Sequence, residues 1–163
     1  MAKFVLLGLP GSGKSSVGRA AALRLGVAFI DTDEALEAQE GIAAGTLMRR
    51  DGVDLFRAKE LSVLRDALAS TAVVATGGGV VTTVAARELL ENEQCVWLRA
   101  RTQDLVRRVR GGDRPLLEGG VRERLSALAA ERNPLYSQLA RHQVNAAQSI
   151  EVIVEELCRI VGE

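Results

Sequence analysis

Short apolar runs alternate along the chain with longer stretches in which apolar residues recur at helical spacing. The short runs have the length of buried strands, and the longer stretches are typical of helices that pack one face against a sheet. Because this alternation is typical of βαβ units, it predicts a parallel sheet with helices on both faces. The predicted strands are Phe4–Leu7, Val27–Ile30, Ala72–Ala75, Cys95–Leu98 and a weaker one around Gln143–Val144.

The helical pattern is clearest at the end of the chain, where Ile150, Ile153, Leu157 and Val161 fall on one face. The predicted fold class is therefore α/β, and we expect one domain that covers residues 1–163. The predicted helices are Lys14–Leu25, Asp33–Gln39, Val53–Ala69, Ala85–Glu91, Gln103–Arg110, Val121–Glu131, Pro134–Arg141 and Ile150–Val161.

Composition and charge change this picture little. The chain is 47% hydrophobic and 26% charged with a formal net charge of zero, so no general attraction to nucleic acid is expected. No apolar stretch approaches a membrane span, and the apolar N-terminus is too short for a signal peptide. Cys95 and Cys158 lack metal-ligand spacing and fit a reducing compartment. We expect a cytoplasmic monomer that binds neither membrane nor nucleic acid.

The most informative motif joins the first predicted strand to the first predicted helix. Gly8-Leu-Pro-Gly-Ser-Gly-Lys14-Ser15 matches the pattern G-x-x-x-x-G-K-[ST] of a phosphate-binding loop. In such a loop, backbone N–H groups and the positive helix end face a phosphate, the lysine reaches the terminal phosphates, and the hydroxyl ligates Mg²⁺. The residues predicted to bind the nucleotide here are Gly11, Ser12, Gly13, Lys14, Ser15 and Ser16.

Two carboxylates follow the second predicted strand. Asp31 and Asp33 lie at the carboxyl end of that strand, where ligands bind in open α/β sheets. We expect Asp31 to hold Mg²⁺ through water and Asp33 to face an acceptor hydroxyl. The alternative is that one of the two carboxylates only caps the following helix.

Glycines and arginines provide further candidates. The triplet Gly77-Gly78-Gly79 follows the third predicted strand, and its bare backbone favours close approach of a ligand over a mere tight turn. Arg57 and Glu60 have the spacing of an exposed ion pair on a helix, which the pattern alone favours over a carboxylate clamp. By itself, Arg132 is a charged residue at a helix boundary.

The segment 110–120 has paired glycines at each end and Arg114 near its middle. This composition favours a hinged lid that closes over the nucleotide, and an ordinary surface loop is the alternative. The chain has no Asn-Lys-x-Asp motif for reading guanine, and its third predicted strand ends in glycines rather than in Asp-Glu. A small phosphotransferase is therefore favoured over a GTPase or a motor ATPase.

Taken together, the motifs resemble those of the shikimate kinases over almost the whole chain. The resemblance implies a P-loop kinase of the nucleoside-monophosphate-kinase type, with a five-stranded parallel sheet, an acceptor-binding region at about residues 32–60 and a lid at about 110–121. It implies phosphorylation of the 3-hydroxyl of shikimate by ATP and Mg²⁺, a step of aromatic amino-acid biosynthesis. The motifs are Gly8–Ser15, Asp31-Thr-Asp33, Phe56-Arg57 with Glu60, Gly77–Gly79, Arg114-Pro-Leu-Leu117 and Arg132-Asn-Pro-Leu-Tyr136.

The resemblance also implies roles for the matching positions. Lys14, Asp33 and Arg114 are the implied catalytic residues, with Asp33 as the proposed base and Arg114 closing on the γ-phosphate. Arg108 matches an arginine that stacks on adenine. The implied shikimate contacts are Asp33, Arg57, Gly78, Gly79 and Arg132, and the implied metal contacts are Ser15 and, through water, Asp31.

Two other functions fit part of the pattern. A related kinase for gluconate or a nucleoside monophosphate would keep the phosphate-binding loop, although the paired arginines and the glycine triplet argue against gluconate. A ligand-sensing domain that has lost the reaction would be expected to lack at least one of the key charged residues. All of them are present in this chain, namely Lys14, Asp31, Asp33 and Arg114.

Overall fold

A computed structural model describes residues 1–110 and 120–162 of the chain. Its centre is a five-stranded sheet in the order β2-β3-β1-β4-β5, and every neighbouring pair is parallel, which confirms the predicted architecture. The strands are β1 (Phe4–Leu7), β2 (Ala28–Asp31), β3 (Ala72–Ala75), β4 (Cys95–Arg99) and β5 (His142–Asn145).

Helices cover both faces of this sheet. The described helices are α1 (Lys14–Leu25), α2 (Thr32–Glu40), α3 (Ala44–Asp51), α4 (Val53–Ala69), α5 (Val84–Leu90), α6 (Thr102–Arg110), α7 (Val121–Leu139) and α8 (Ile150–Gly162), with a short 3₁₀ turn at Val80–Thr82. No helix among residues 1–110 and 120–162 is long and apolar enough to cross a lipid bilayer.

Strand β1 shows why the sheet carries two apolar layers. Its side chains alternate between the two faces, so that Phe4 and Leu6 pack with α1 and α8 while Val5 and Leu7 pack with α4, α5, α6 and α7. A separate small cluster joins α2, α3 and α4 beyond the sheet. Central parallel strands buried in this way are apolar at every position, which made β1 recognisable from its sequence.

The strand order decides where the chemistry is located. Parallel strands end at one edge of the sheet, so the segments that follow β1, β2 and β3 lie side by side. Because β3 lies between β2 and β1, the glycine triplet after β3 lies between the carboxylates that end β2 and the loop that follows β1.

The structure corrects two predictions about helices. The two helices predicted at Val121–Glu131 and Pro134–Arg141 are one continuous helix, α7, with Pro134 inside it. Proline removes one backbone donor, but the helix continues because Leu125 and Tyr136 on either side of it are fully buried. Helix α3 was not predicted at all. The predicted lid arginine, Arg114, lies outside the described residues.

Candidate active site

The phosphate-binding loop connects β1 to α1. Gly11 and Gly13 have φ values of 84° and 94°, a region that favours glycine, and Gly13 is the N-cap of α1. The Lys14 ammonium donates hydrogen bonds to the carbonyls of Gly8 at 2.6 Å and Leu9 at 3.1 Å. The lysine therefore rests on the backbone of its own loop, at the N-terminus of a helix, where an anion is favoured.

Asp31 caps a helix, as one of its two predicted functions required, and it also contacts the phosphate-binding loop. One of its carboxylate oxygens caps α2 by accepting from the N–H groups of Asp33 at 2.9 Å and Glu34 at 3.1 Å. The other oxygen accepts a hydrogen bond from the Ser15 hydroxyl. The cap holds this carboxylate beside the serine that ends the phosphate-binding loop.

Ser15 and Asp31 fit a magnesium ion, since a hydroxyl and a carboxylate side by side are hard oxygen donors. Within residues 1–110 and 120–162, no cluster of three or more His, Cys, Asp or Glu side chains could hold a metal alone. That donor set is typical of Mg²⁺, which takes few protein ligands and relies on phosphate oxygens and water.

Arg108 connects α6 to the loop. Its guanidinium donates to the carbonyls of Gly11 at 3.1 Å and Ser12 at 3.0 Å, and to the carbonyl of Ala146 at 2.6 Å. These bonds place Arg108 between the phosphate-binding loop and the segment that follows β5. Its stacking on adenine remains a prediction.

The glycine triplet lies against three charged side chains. A Cβ on Gly77 would contact the Asp33 carboxylate, and one on Gly78 would lie 3.1 Å from Nη1 of Arg132. A Cβ on Gly79 would lie 2.8 Å from both terminal nitrogens of Arg57. Only a bare backbone allows these groups to approach so closely. The structure thus gathers one carboxylate and two guanidinium groups, distant in sequence, around three consecutive residues.

The pairing of Arg57 with Glu60 differs from the sequence-based expectation. The two side chains form an ion pair at 2.7 Å, but Glu60 is only 6% exposed and Arg57 only 23%. The pair is therefore not the exposed surface pair favoured by the helical spacing. Its buried carboxylate holds the guanidinium of Arg57 in the position where it meets Gly79.

Asp33 has a strongly raised pKa. Burial is the largest cause that raises the pKa of Asp33 to about 6, and the negative charges of Asp31 and Glu60 raise it further against the opposing effect of Lys14. A carboxyl group with this pKa is mostly ionised at neutral pH, yet it binds a proton more readily than an ordinary aspartate. This property suits a group that takes up a proton from an alcohol.

Sequence reasoning missed Tyr136 as a site residue. Its side chain is fully buried, and its hydroxyl lies 2.7 Å from the Gly78 carbonyl and 3.1 Å from the Gly8 carbonyl. Arg132 lies one helical turn earlier on α7, and against the larger effect of burial, which raises the pKa of the Tyr136 hydroxyl, its positive charge lowers that pKa. This spacing of four residues was the available signal, because it places both side chains on one helix face.

Most of the predicted nucleotide residues line one cavity of about 400 Å³ together with two predicted acceptor residues, Asp33 and Gly78, whereas Arg57, Gly79 and Arg132 are not part of its lining. A larger open cleft of about 800 Å³ lies around the ends of β4 and β5 and contains none of the predicted site residues. Among the residues that line the smaller cavity are Gly11, Gly13, Lys14, Ser15, Ser16, Asp31, Asp33, Gly78 and Arg108. The cavity therefore offers phosphate-binding backbone and a proton acceptor in one space.

Comparisons with known proteins identify the family of this chain. The sequence profile of the shikimate kinase family matches residues 10–161. A shikimate kinase of Thermobifida fusca is 42% identical over 94% of this chain and 93% of its own length. The structure of Acinetobacter baumannii shikimate kinase in complex with shikimate is 31% identical and superposes with a TM-score of 0.88, covering 98% of this chain and 92% of that one.

A gluconokinase of Sinorhizobium meliloti is a weaker structural match, at 25% identity and a TM-score of 0.63 over 98% of this chain and 90% of that one. The fold is therefore shared beyond one family, but the sequence comparisons and the stronger structural match agree on one assignment. The chain belongs to the shikimate kinase family.

Proposed function

We propose that this protein transfers the γ-phosphoryl group of ATP to the 3-hydroxyl of shikimate, giving shikimate 3-phosphate and ADP. The observation that carries the proposal is the convergence of Asp33, Arg132 and Arg57 on the glycine triplet, next to the phosphate-binding loop. Phosphoryl transfer requires in-line positioning and stabilisation of negative charge rather than a covalent enzyme intermediate. This arrangement of charges supplies both.

The two arginines account for recognition of an acid. Arg57 and Arg132 approach adjacent glycines from different helices, α4 and α7, so their guanidinium groups are suited to hold one carboxylate between them. The backbone of Gly78 and Gly79 is bare enough for the acceptor to approach it closely. Such a grip fixes the orientation of the acceptor, and orientation accounts for much of the rate of transfer.

Asp33 is suited to receive the proton of the attacking hydroxyl. In the reaction, a bond forms between the acceptor oxygen and the γ-phosphorus while the bond from that phosphorus to the β,γ-bridging oxygen breaks. The hydroxyl proton passes to the Asp33 carboxylate, whose raised pKa of about 6 favours its uptake near neutral pH. The displaced bridging oxygen stays with ADP.

On the nucleotide side, Lys14 would exchange the carbonyls of Gly8 and Leu9 for phosphate oxygens. Ser15, with Asp31 through water, would hold Mg²⁺, which neutralises charge on the phosphates. Arg114, in a lid at about 110–121, is proposed to bring its positive charge to the γ-phosphate. The region at about 32–60, which includes the small apolar cluster around Leu36, is proposed to bind the acceptor.

The test is an ADP-release assay with shikimate, gluconate and a nucleoside monophosphate offered in parallel. Of the three acceptors, we expect only shikimate to support rapid ADP release. The Lys14→Met variant should abolish that release. The variant excludes a contaminating ATPase as the source of the signal. Comparable rates with gluconate or a nucleoside monophosphate, or no rate with any acceptor, would contradict the proposal.

A further inference from the structure

Thr32 joins the start of α2 to the glycine triplet. It is the first residue of the helix, directly before Asp33, and its side chain is buried. Its hydroxyl accepts a hydrogen bond from the N–H group of Gly77 at 3.0 Å, across 45 residues of sequence. The neighbour of the proposed proton acceptor is therefore fixed to the first glycine of the segment that faces the acceptor.

The Asp33 carboxylate lies against the same glycine. A Cβ on Gly77 would contact this carboxylate, yet the N–H group of Gly77 donates to the Thr32 hydroxyl. An N–H group beside a carboxylate is expected to bond to it, because hydrogen bonds to a charged acceptor are roughly twice as strong as those between neutral groups. The Thr32 hydroxyl therefore holds a donor that the neighbouring carboxylate would otherwise attract.

The rest of the triplet is held in place by the protein itself, because the carbonyl of each glycine accepts a hydrogen bond. The donors are the Val80 N–H to Gly77 at 3.2 Å, the Tyr136 hydroxyl to Gly78 at 2.7 Å and the Thr82 hydroxyl to Gly79 at 2.6 Å. An N–H group of Gly77 that lost the Thr32 hydroxyl would therefore keep its place, and an unpaired buried N–H is costly. The Asp33 carboxylate is the charged acceptor beside it.

We propose that Thr32 is a positioning residue that keeps the Asp33 carboxylate free for the acceptor hydroxyl by occupying the Gly77 N–H group. Without the Thr32 hydroxyl, the carboxylate turns to this N–H group, and the acceptor must displace that bond before its proton passes to Asp33. The bonds made and broken in phosphoryl transfer stay the same. The inference rests on the proposed function, because that function makes Asp33 the proton acceptor.

The first test compares two substitutions of Thr32 in steady-state kinetics. Thr32→Val keeps the branched shape without the hydroxyl and should lower kcat/KM for shikimate about 10- to 100-fold, since a hydrogen bond to a charged group is broken in each turnover. The KM for ATP should stay nearly constant, because Thr32 does not line the cavity of the phosphate-binding loop. Thr32→Ser keeps the hydroxyl and should stay close to the wild type. Wild-type kinetics in Thr32→Val, or equal losses in both variants, would overturn the proposal.

A double variant separates this role from a merely structural one. Once Asp33→Asn has removed the proton acceptor, adding Thr32→Val should change kcat/KM by less than about twofold, whereas losses at independent sites multiply. Multiplied losses would overturn the proposal. Thr71→Val is the matched control, since it makes the same replacement at an exposed position directly before β3, at the opposite end of that strand from the triplet. It should leave the kinetics unchanged.

A further measurement needs no turnover. In ¹⁵N-labelled protein without substrates, the amide proton signal of Gly77 should move to higher frequency in Thr32→Val, because a hydrogen bond to a carboxylate is shorter than one to a hydroxyl. A shift to lower frequency, as for an N–H group without an acceptor, or an unchanged signal would overturn the proposal. Absence of shikimate-dependent ADP release by the wild type would instead contradict the proposed function, and the amide signal distinguishes the two failures.

Discussion

The phosphate-binding loop and the glycine triplet end neighbouring strands, yet their charged side chains have different partners. At the loop, Lys14 and Arg108 donate to backbone carbonyls of the loop itself. At the triplet, the charged groups lie against bare backbone, and Nε of Arg132 is buried without a hydrogen-bond partner among the described residues. The charged groups at the loop make internal bonds that a nucleotide must replace, although the Ser12 hydroxyl of the loop also has no partner among the described residues. Nε of Arg132 at the triplet keeps bonding capacity for an incoming acceptor.

This contrast has a consequence for affinity. A ligand that replaces internal hydrogen bonds gains little from each exchange, while one that pairs with an unsatisfied buried group gains more. Acceptor binding should therefore depend steeply on individual side chains around the triplet. Nucleotide binding should depend on many backbone N–H groups and respond weakly to the same substitutions.

The largest effect is expected for Asp33→Asn. Loss of the proton acceptor should lower kcat by about 10²–10⁴-fold, while the KM for ATP stays nearly constant because Asp33 faces the triplet rather than the loop. Steady-state kinetics with both substrates varied measures this. Unchanged turnover would show that Asp33 does not handle the proton.

The thermal stability of Asp33→Asn is its control. The folded-state pKa of Asp33 is raised, so ionisation of this group above pH about 6 weakens the fold, and a neutral amide removes that cost. We expect the midpoint of thermal unfolding at pH 7.5 to be equal to or above that of the wild type. A large drop in this midpoint would mean that misfolding explains the loss of activity.

Arg132→Ala should have the second largest effect on the kinetics. A hydrogen bond to a charged group contributes about 1.5–3 kcal/mol, which corresponds to a rise of roughly 10- to 100-fold in the KM for shikimate. The KM for ATP should change by less than about threefold, a change typical of a site that the substitution does not touch. If the KM for ATP rose instead, Arg132 would belong to the nucleotide-binding part of the site rather than to the acceptor-binding part.

Arg159→Ala is the matched control for this variant. Arg159 lies on α8, is 60% exposed and forms a long ion pair with Glu155 at 3.6 Å. Its removal takes away the same charge at an exposed position and should leave both KM values unchanged. A similar rise in the KM for shikimate would show that net charge, rather than contact, controls acceptor binding.

The dependence of kcat/KM on pH should show a smaller loss of activity. Below pH about 6 Asp33 becomes protonated, so kcat/KM for shikimate should fall about tenfold for each further pH unit. Asp33→Asn should lack this acidic limb. Wild-type activity that stays level down to pH 5 would contradict a base with this pKa.

Gly79→Ala should have the smallest effect. Gly79 has φ of −90°, which alanine adopts readily, but the added Cβ would lie 2.8 Å from the terminal nitrogens of Arg57. Arg57 must shift slightly, and we expect the KM for shikimate to rise roughly threefold to tenfold, since small misplacements of a positioning group are costly. Gly162→Ala, where a Cβ meets nothing within 4 Å, is the control and should leave this KM unchanged.

The sequence predicted the core of the fold because burial leaves a strong local pattern. Strands β1 and β3 have the predicted bounds, since all their positions are buried and apolar. Helix α3 escaped prediction because it has no side-chain cap at its start and buries only Leu47. The break predicted near Pro134 was wrong because packing of α7 on the sheet outweighs one missing backbone donor.

Local patterns also gave candidates for the site, but not their partners. The spacing of Arg57 and Glu60 is the same on an exposed helix as on a buried one, so tertiary packing alone reveals that the pair is buried. The contact between Tyr136 and Gly8 joins residues 128 positions apart. No short-range pattern encodes such a contact, and it depends on α7 crossing the ends of both strands.

The closeness of the glycine triplet to its charged neighbours limits how this protein can vary. An inhibitor that hydrogen-bonds to the backbone of Gly78 and Gly79 contacts atoms that every amino acid possesses. A side chain at either glycine would press on the end of Arg132 or Arg57, the two arginines proposed to hold the acceptor. A substitution at either contact should therefore weaken acceptor binding together with inhibitor binding, as expected for Gly79→Ala.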